Sequence, residues 1–256
     1  MTKAIVFSCA HNKPDVSNER ADWLGQLIVD EKPDYVVDLG DTIDLNSLNS
    51  YDNKKPSLFS TKSYEKDIEH HIEFQERLRA PLKKRKKKRP RFYGFEGNHE
   101  HRLKRVLQET PHLAGGKYGV SFGHLETDKY YDEYHEYHNS APAIHDYDGV
   151  SYAHYFSSGN FGTAMSGMHH AYNLVKERNF SSTCGHSHKR NIYFKDSAHP
   201  RPIIGLVAGC YKGGEEHWAG QANNDWWKGV IIKRNIENGV YDPEFVSLSR
   251  LKETYG

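Results

Sequence analysis

No run of apolar residues in this 256-residue sequence approaches the roughly 18 that a membrane span requires, so no transmembrane helix and no membrane partner are expected. Cysteine is scarce: there are 3, an odd number, with no secretory signal in view. That argues against a disulfide framework and for a reducing, cytoplasmic compartment. The opening stretch Met1-Thr2-Lys3-Ala4-Ile5-Val6-Phe7 is too short an apolar run for a signal peptide and reads as a strand. An excess of one charge sign is also lacking. Charged residues make up 27% of the chain, yet the formal net charge is +1. This balance speaks neither for nor against nucleic acid, because local patches outweigh the sum. Apolar residues are few, at 36%, but aromatics reach 12% and bury large areas, so an ordered domain is expected. What stands out by its abundance is histidine, with 17 copies, several of them next to Gly, Asp or Asn.

Ala4 to Phe7 reads as a buried strand that stops at Ser8-Cys9-Ala10-His11. Asn18 to Val29 carries Ala21, Leu24, Leu27 and Ile28 at helical spacing, with Ser17 placed as N-cap. Tyr35 to Leu39 is a β-branched run ended by Gly40-Asp41. Strand, helix and strand in this rhythm predict a βαβ unit and a parallel sheet, whose ligands gather beyond the carboxyl ends of the strands. A second helix is predicted over Ser63 to Arg79, and a strand over Arg91 to Phe95 leads into Gly97-Asn98-His99-Glu100. A helix with Leu103, Val106 and Leu107 on one side follows. Gly149 to His154 is a strand ending in histidine, Met168 to Arg178 a helix, and Ser181 to Cys184 a strand before Gly185-His186-Ser187-His188. Further strands are predicted over Ile192 to Lys195, Ile203 to Ala208 and Gly229 to Lys233. The length suits a single domain spanning residues 1–256, with insertions at about 45–90 and 101–148. Within the second, residues 112–148 are dense in Tyr and His without a clear period and read as a cover over one face of the sheet.

Five polar clusters thus terminate five predicted strands: Cys9-Ala10-His11, Gly40-Asp41-Thr42-Ile43-Asp44, Gly97-Asn98-His99-Glu100, His154, and Gly185-His186-Ser187-His188. Imidazole and carboxylate suit first-row transition metals, and a thiolate adds softness. One carboxylate can face two cations, and the neighbouring glycines let the backbone approach closely. Two ions about 3.5–4 Å apart can clamp a phosphate and acidify a bound water. Any one of these histidines alone reads as a polar loop residue; the ordered set points to metal chemistry.

In that order the clusters resemble the calcineurin-like metallophosphoesterase superfamily. Its pattern is Asp-x-His, Gly-Asp-x-x-Asp, Gly-Asn-His-Asp/Glu, a lone His, then Gly-His-x-His, and the resemblance runs from Cys9 to His188. It implies an α/β fold: a four-layer αββα sandwich of two mixed sheets, with helical or irregular insertions over the active-site face. It implies a metal-dependent phosphoester hydrolase with a dinuclear centre and a metal-bound hydroxide as nucleophile. His11 and His188, with position 9, would hold the first ion; Asn98, His154 and His186 the second; Asp41 would bridge them. His99 would act as general acid or as a stabiliser of the phosphate, and Asp44 would orient it. The chain departs from the pattern at Cys9, where the family has Asp. A free thiol has a pKa of about 8.5, and a nearby cation would deprotonate it. Cys9 is therefore either a thiolate ligand, favouring zinc or iron at the first position, or a non-ligand that leaves that position weak. The expected cofactors are two divalent ions drawn from manganese, zinc and iron.

Serine/threonine protein phosphatases carry Arg before Gly-Asn-His-Glu and Asp-Arg-Gly after the second motif. Glu96 and Leu45-Asn46 stand there instead, so that branch is not expected. Gly40 to Leu48, with Gly-Asn-His-Glu-His-Arg and a following basic helix, resembles phosphoesterases encoded by bacteriophages and prophages, which implies a host-cytoplasmic location. The run Lys83 to Arg89 reads either as a solvated helix end or as a contact to a phosphate backbone. Arg102 could reach a substrate phosphate with its planar fork, and Lys189 and Arg190 could reach the same anion. The Tyr/His-rich segment could stack nucleobases or close as a lid. The expected activity is that of a phosphodiesterase or nuclease on DNA, RNA or nucleotides. The alternatives are a phosphomonoesterase acting on a small molecule or protein, a metal-poor binding scaffold of the same fold, and an oligonucleotide-binding protein without catalysis. His169 and His170 are read as ordinary helix residues, Cys184 and Cys210 as small buried hydrophobes.

Overall fold

The computed structural model describes residues 1–49, 62–83, 89–115, 119–196 and 201–256. The first half of the chain forms β1 (Thr2–Phe7), α1 (Glu19–Glu31), β2 (Tyr35–Asp38), α2 (Tyr64–Lys83), β3 (Arg91–Phe95), α3 (His101–Glu109) and α4 (Thr127–Tyr130). Then come β4 (Glu133–His135), β5 (His145–Tyr147), β6 (Val150–Ala153), a small hairpin of β7 (Ser157–Ser158) and β8 (Thr163–Ala164), and α5 (His170–Arg178). The chain ends with β9 (Ser182–Cys184), β10 (Arg190–Lys195), β11 (Ile203–Ala208), β12 (Gly229–Glu237), β13 (Val240–Ser247) and α6 (Leu248–Tyr255).

One sheet has the order β13-β12-β1-β2-β3-β4 and the other β10-β11-β9-β6-β5. Both are mixed: β1, β2, β3 and β4 pair in parallel, as do β6, β9 and β11, while β12, β13, β5 and β10 join antiparallel. Strand alternation sorts side chains into layers. From β1, Ala4 and Val6 face the second sheet and meet Tyr152, Leu206 and Ala208 in the inter-sheet core. Ile5 and Phe7 face the other way and pack under α1, α2 and α6 with Leu24, Ile28, Phe74 and Leu251. On the far side, Ala171 and Leu174 of α5 cover Ala153, Cys184 and Val207. The result is the four-layer αββα sandwich expected from the resemblance. Among the described residues, no helix is long and apolar enough to cross a membrane.

Several boundaries differ from the sequence reading. Ser17 does not occupy the cap position of α1; Asn18 does, without a side-chain cap bond, and the Ser17 hydroxyl accepts from Glu19 N at 3.2 Å from one residue upstream. Helix α2 continues past Arg79 to Lys83 although Pro81 removes a backbone donor. Burial of Leu82 in the α1–α2–α6 core holds this last turn in place. Strand β13 and helix α6 were not anticipated. Pro243 weakens a strand reading, and the structure resolves this by placing β13 at a sheet edge. The Tyr/His-rich segment is less irregular than its composition suggests, since β4 and β5 each extend one sheet as edge strands. Of the basic run, residues 84–88 lie outside the described residues. Its ends are engaged: Lys83 pairs with Glu76 at 2.7 Å and Arg89 with Asp132 at 3.0 Å.

His71 of α2 is buried beneath this layer, and burial, followed by the Arg79 charge, pushes its pKa down from 6.5 to about 3. The unfolded chain therefore takes up a proton near pH 6.5 that the folded one refuses until about pH 3. Above the upper value the ring is neutral in both states and adds no proton-linked cost, and stability is lost as pH falls through this window. Urea unfolding should show a smaller loss between about pH 7.5 and 4.5 in His71→Leu than in the parent, by about 2 kcal/mol. Equal losses in the two proteins would assign the acid sensitivity elsewhere.

Candidate metal centre

Because β1, β2 and β3 run side by side in parallel, as do β6 and β9, their carboxyl ends share one edge of the sandwich. All five polar clusters therefore meet there. The loops after β1 and β2 are laced together by Cys9 N to Gly40 O at 2.9 Å, His11 N to Asp41 O at 2.9 Å and Asp44 N to Asn12 O at 3.0 Å. Two glycines permit the close approach of the other loops. A Cβ on Gly97 would collide with Asp41 Oδ1, and one on Gly185 with Ser8 Oγ. Cys9, His11, Asp41, His186 and His188 all adopt left-handed backbone angles, with φ between 42° and 64°. Such conformations are strained for residues with a Cβ and collect at functional sites.

Two of the imidazoles, those of His11 and His154, have one nitrogen anchored and the other turned inward. His11 Nδ1 meets Asp44 Oδ1 at 3.2 Å, which leaves Nε2 facing His188 Nε2 at 3.1 Å. His154 Nδ1 donates to the Leu39 carbonyl at 2.7 Å, which turns Nε2 toward Asn98 Oδ1 at 3.0 Å and Asp41 Oδ2 at 3.3 Å. His186 Nδ1 lies 2.9 Å from the same Asn98 oxygen and 3.2 Å from His154 Nε2. An anchored second nitrogen is the usual support of a metal-binding histidine. Lone pairs converging at such distances satisfy one another poorly and suit cations, so the residues present fit a two-ion centre. Ligand atoms of Cys9, His11 and His188 lie within 4.8 Å of one another, and so do those of Cys9, Asp41 and His154.

Asp41 joins the two groups: its Oδ2 is 3.3 Å from His154 Nε2 and 3.7 Å from His11 Nε2, while Oδ1 accepts from His99 N at 2.8 Å. Burial alone would raise its pKa, but His154, His99 and His11 together hold the carboxyl well below its usual range. Burial pushes His11 and His186 down to about 4. These rings are thus neutral at neutral pH, the form that binds metal. Burial, and after it the Asp41 charge, pushes the Cys9 thiol well up. Its Sγ accepts from His186 N at 3.3 Å and touches Ser8 Oγ at 3.0 Å, so the sulfur faces the loop that carries the two histidines.

His99, Asp44 and Arg102 also come together. His99 Nδ1 lies 3.0 Å from Asp44 Oδ1 and 2.8 Å from the Asp44 carbonyl, and its Nε2 accepts from Arg102 Nη2 at 3.1 Å. Arg102 Nη1 donates to the Asp44 carbonyl at 2.8 Å. Asp44 serves two rings, since the same Oδ1 holds His11. Lys189 and Arg190 are not brought to this cluster. Lys189 pairs with Asp225 at 3.2 Å on the surface. The Arg190 guanidinium packs on Trp227 and Phe245, 5.1 and 5.3 Å from the ring centroids.

The sequence reading gave no role to Glu100, although its motif was noted. Its buried carboxylate accepts from the amides of Asp41 at 2.9 Å, Thr42 at 2.8 Å, Ile43 at 3.3 Å and Gly97 at 2.9 Å. It also missed the buried group Lys13, Lys212 and Glu216, in which both amines hold one carboxylate, at 3.2 and 2.8 Å. The only signal for Lys212 was its place just after β11, another strand of the same sheet. Two aromatic walls flank the cluster. The Tyr155 ring is 5.0 Å from that of His186, with Tyr137 6.4 Å behind it, and the Trp226 ring is 4.7 Å from that of His188.

Comparison with known proteins places the chain. Its fold is similar to that of a Streptococcus pneumoniae protein described as a predicted phosphoesterase, at 10% identity and a TM-score of 0.40, covering 97% of this chain and 90% of that one. It is also similar to a nuclease of Pseudomonas putida, at 10% identity and a TM-score of 0.41, covering 94% and 87%. A purple acid phosphatase from yellow lupin seeds gives 12% identity and a TM-score of 0.49, covering 97% of this chain and 52% of that one. No curated protein matches the sequence. The calcineurin-like phosphoesterase family matches residues 2–233. The chain belongs to that family and is a metallophosphoesterase.

Proposed function

We propose that this hydrolase cleaves phosphodiester bonds in nucleic acid or nucleotides. Cys9, His11, Asp41 and His188 would hold one divalent ion, and Asp41, Asn98, His154 and His186 the other. The observation that carries this reading is Asp41, whose carboxylate reaches His11 on one side and His154 on the other. Bound ions would supply Lewis acidity toward the phosphoryl oxygens and acidify water. The sulfur at position 9 favours zinc or iron beside His11 and His188. The three cysteines are free and buried, which suits the cytoplasmic setting we propose.

The protein's own groups do the rest. Asp44 fixes the His99 ring through Nδ1, so Nε2, once Arg102 turns away and the nitrogen takes up a proton, is the one to protonate the leaving oxygen. Arg102, now on that nitrogen, is placed to turn its fork to a phosphate oxygen and to orient the ester. Tyr155 and Tyr137 on one side and Trp226 on the other can face planar groups on both arms of a diester. That arrangement, rather than the basic run, supports the nucleic-acid or nucleotide preference.

Turnover of bis-p-nitrophenyl phosphate and of p-nitrophenyl phosphate with Mn²⁺ or Zn²⁺ tests the reading. The diester should be the better substrate. His99→Ala should lower kcat about a hundredfold or more while metal content stays intact. Turnover of the monoester alone would reject the diester preference in favour of a phosphatase. Protein that neither holds metal nor turns over either ester would be a binding scaffold.

A further inference from the structure

Strands β4 and β5 end their respective sheets on the same side of the sandwich. Residues two apart on a strand share a face. Glu133 and His135 therefore form one pair, and His145 and Tyr147 form the other. The two pairs meet across the seam between the sheets. The His135 and His145 rings stack with centroids 4.3 Å apart and planes 16° apart. Ligand atoms of Glu133, His135 and His145 all lie within 4.8 Å of one another. The Tyr147 hydroxyl ties two of them, lying 2.6 Å from His135 Nε2 and donating to Glu133 Oε2 at 3.0 Å. Its ring is in turn fixed by stacking on Tyr93, with centroids 3.8 Å apart and planes 4° apart.

We propose that Glu133, His135 and His145 form a second metal site, separate from the candidate centre, for one divalent transition-metal ion of the zinc class. Two imidazoles and one carboxylate are a set that zinc accepts, with a fourth position left to water. Ligand bonds of about 2.0–2.2 Å need the three donors to draw slightly closer than they stand. In this group Glu133 and His145 are the more exposed and can turn to do so, while His135 is more buried and held by Tyr147. The ion would tie the edge of one sheet to the edge of the other and close the loop between β4 and β5. That loop carries Tyr137, which stacks on His101 with ring centroids 4.6 Å apart, so the brace would firm one wall of the candidate centre. The proposal does not depend on the substrate reading above.

The test is a Zn²⁺ titration of the full chain after loading with Mn²⁺, followed by calorimetry and elemental analysis. The parent should bind one more Zn²⁺ than His145→Ala, with a dissociation constant in the micromolar range or tighter. Its melting temperature should rise with that extra ion, and the rise should vanish in the variant. Glu133→Gln should weaken the extra ion at least tenfold, and ester turnover by protein loaded with Mn²⁺ alone should be unchanged in both variants. An extra ion of the same affinity in His145→Ala, or none in the parent, would overturn the proposal.

Discussion

Asp41→Asn should reduce kcat/KM by about a thousandfold or more, a loss of roughly 4 kcal/mol of transition-state stabilisation, and should release at least one ion on desalting. Asn keeps the size of the side chain and an oxygen for the His99 amide but removes the charge. Asp41 is the only carboxylate among the described residues that lies near both His11 and His154. Burial alone would lower the His154 pKa, and the Asp41 charge opposes this and raises it. Elemental analysis beside steady-state kinetics reads both effects. A variant that keeps two ions and stays within tenfold of the parent would show that Asp41 does not bridge.

Glu100→Ala should be the most damaging substitution for stability near the site. It strips the acceptor from four buried amides, of Asp41, Thr42, Ile43 and Gly97. Each unsatisfied buried donor costs about 1–3 kcal/mol, and water entering the vacated space would recover part of the total. A net loss of about 3–5 kcal/mol is expected in denaturant unfolding. Burial, with Asp41 and Asp38 next, pushes the Glu100 pKa up to about 7, while the amides favour its ionised form. Glu100→Gln keeps one oxygen for the amides but aims an NH₂ at the rest, so it should fall between the parent and Ala. Metal affinity should drop about ten- to hundredfold in Glu100→Ala, because the loop bearing Asp41 loses its anchor. Unchanged stability would mean that the loop is held from elsewhere.

The four-layer sandwich was legible only through the family resemblance, whereas the parallel strands and the convergence of the clusters follow from local rules. β-branched runs ended by polar residues mark parallel strands, and parallel strands collect their ends at one edge. The roles of Glu100 and Lys13 were not legible, because a carboxylate that receives amides and an amine that meets a glutamate 203 residues away leave no periodic trace. Arg190 shows the converse limit. Its place next to His188 and Lys189 suggested an anion contact, yet strand alternation carries it onto Trp227 and Phe245. Strands β4 and β5 escaped notice because three-residue edge strands made of Tyr, His, Glu and Asp have neither aliphatic residues nor a readable period.

The left-handed backbone at Cys9, His11, Asp41, His186 and His188 has a consequence for evolution in the laboratory. Each such residue costs on the order of 1 kcal/mol or more, and five together rival the net stability of a typical domain, about 5–15 kcal/mol. Selection for heat resistance alone would therefore reward glycine or asparagine at these very positions. The chains it enriched would melt later and catalyse less, so a thermostability campaign on this protein must hold these five positions fixed.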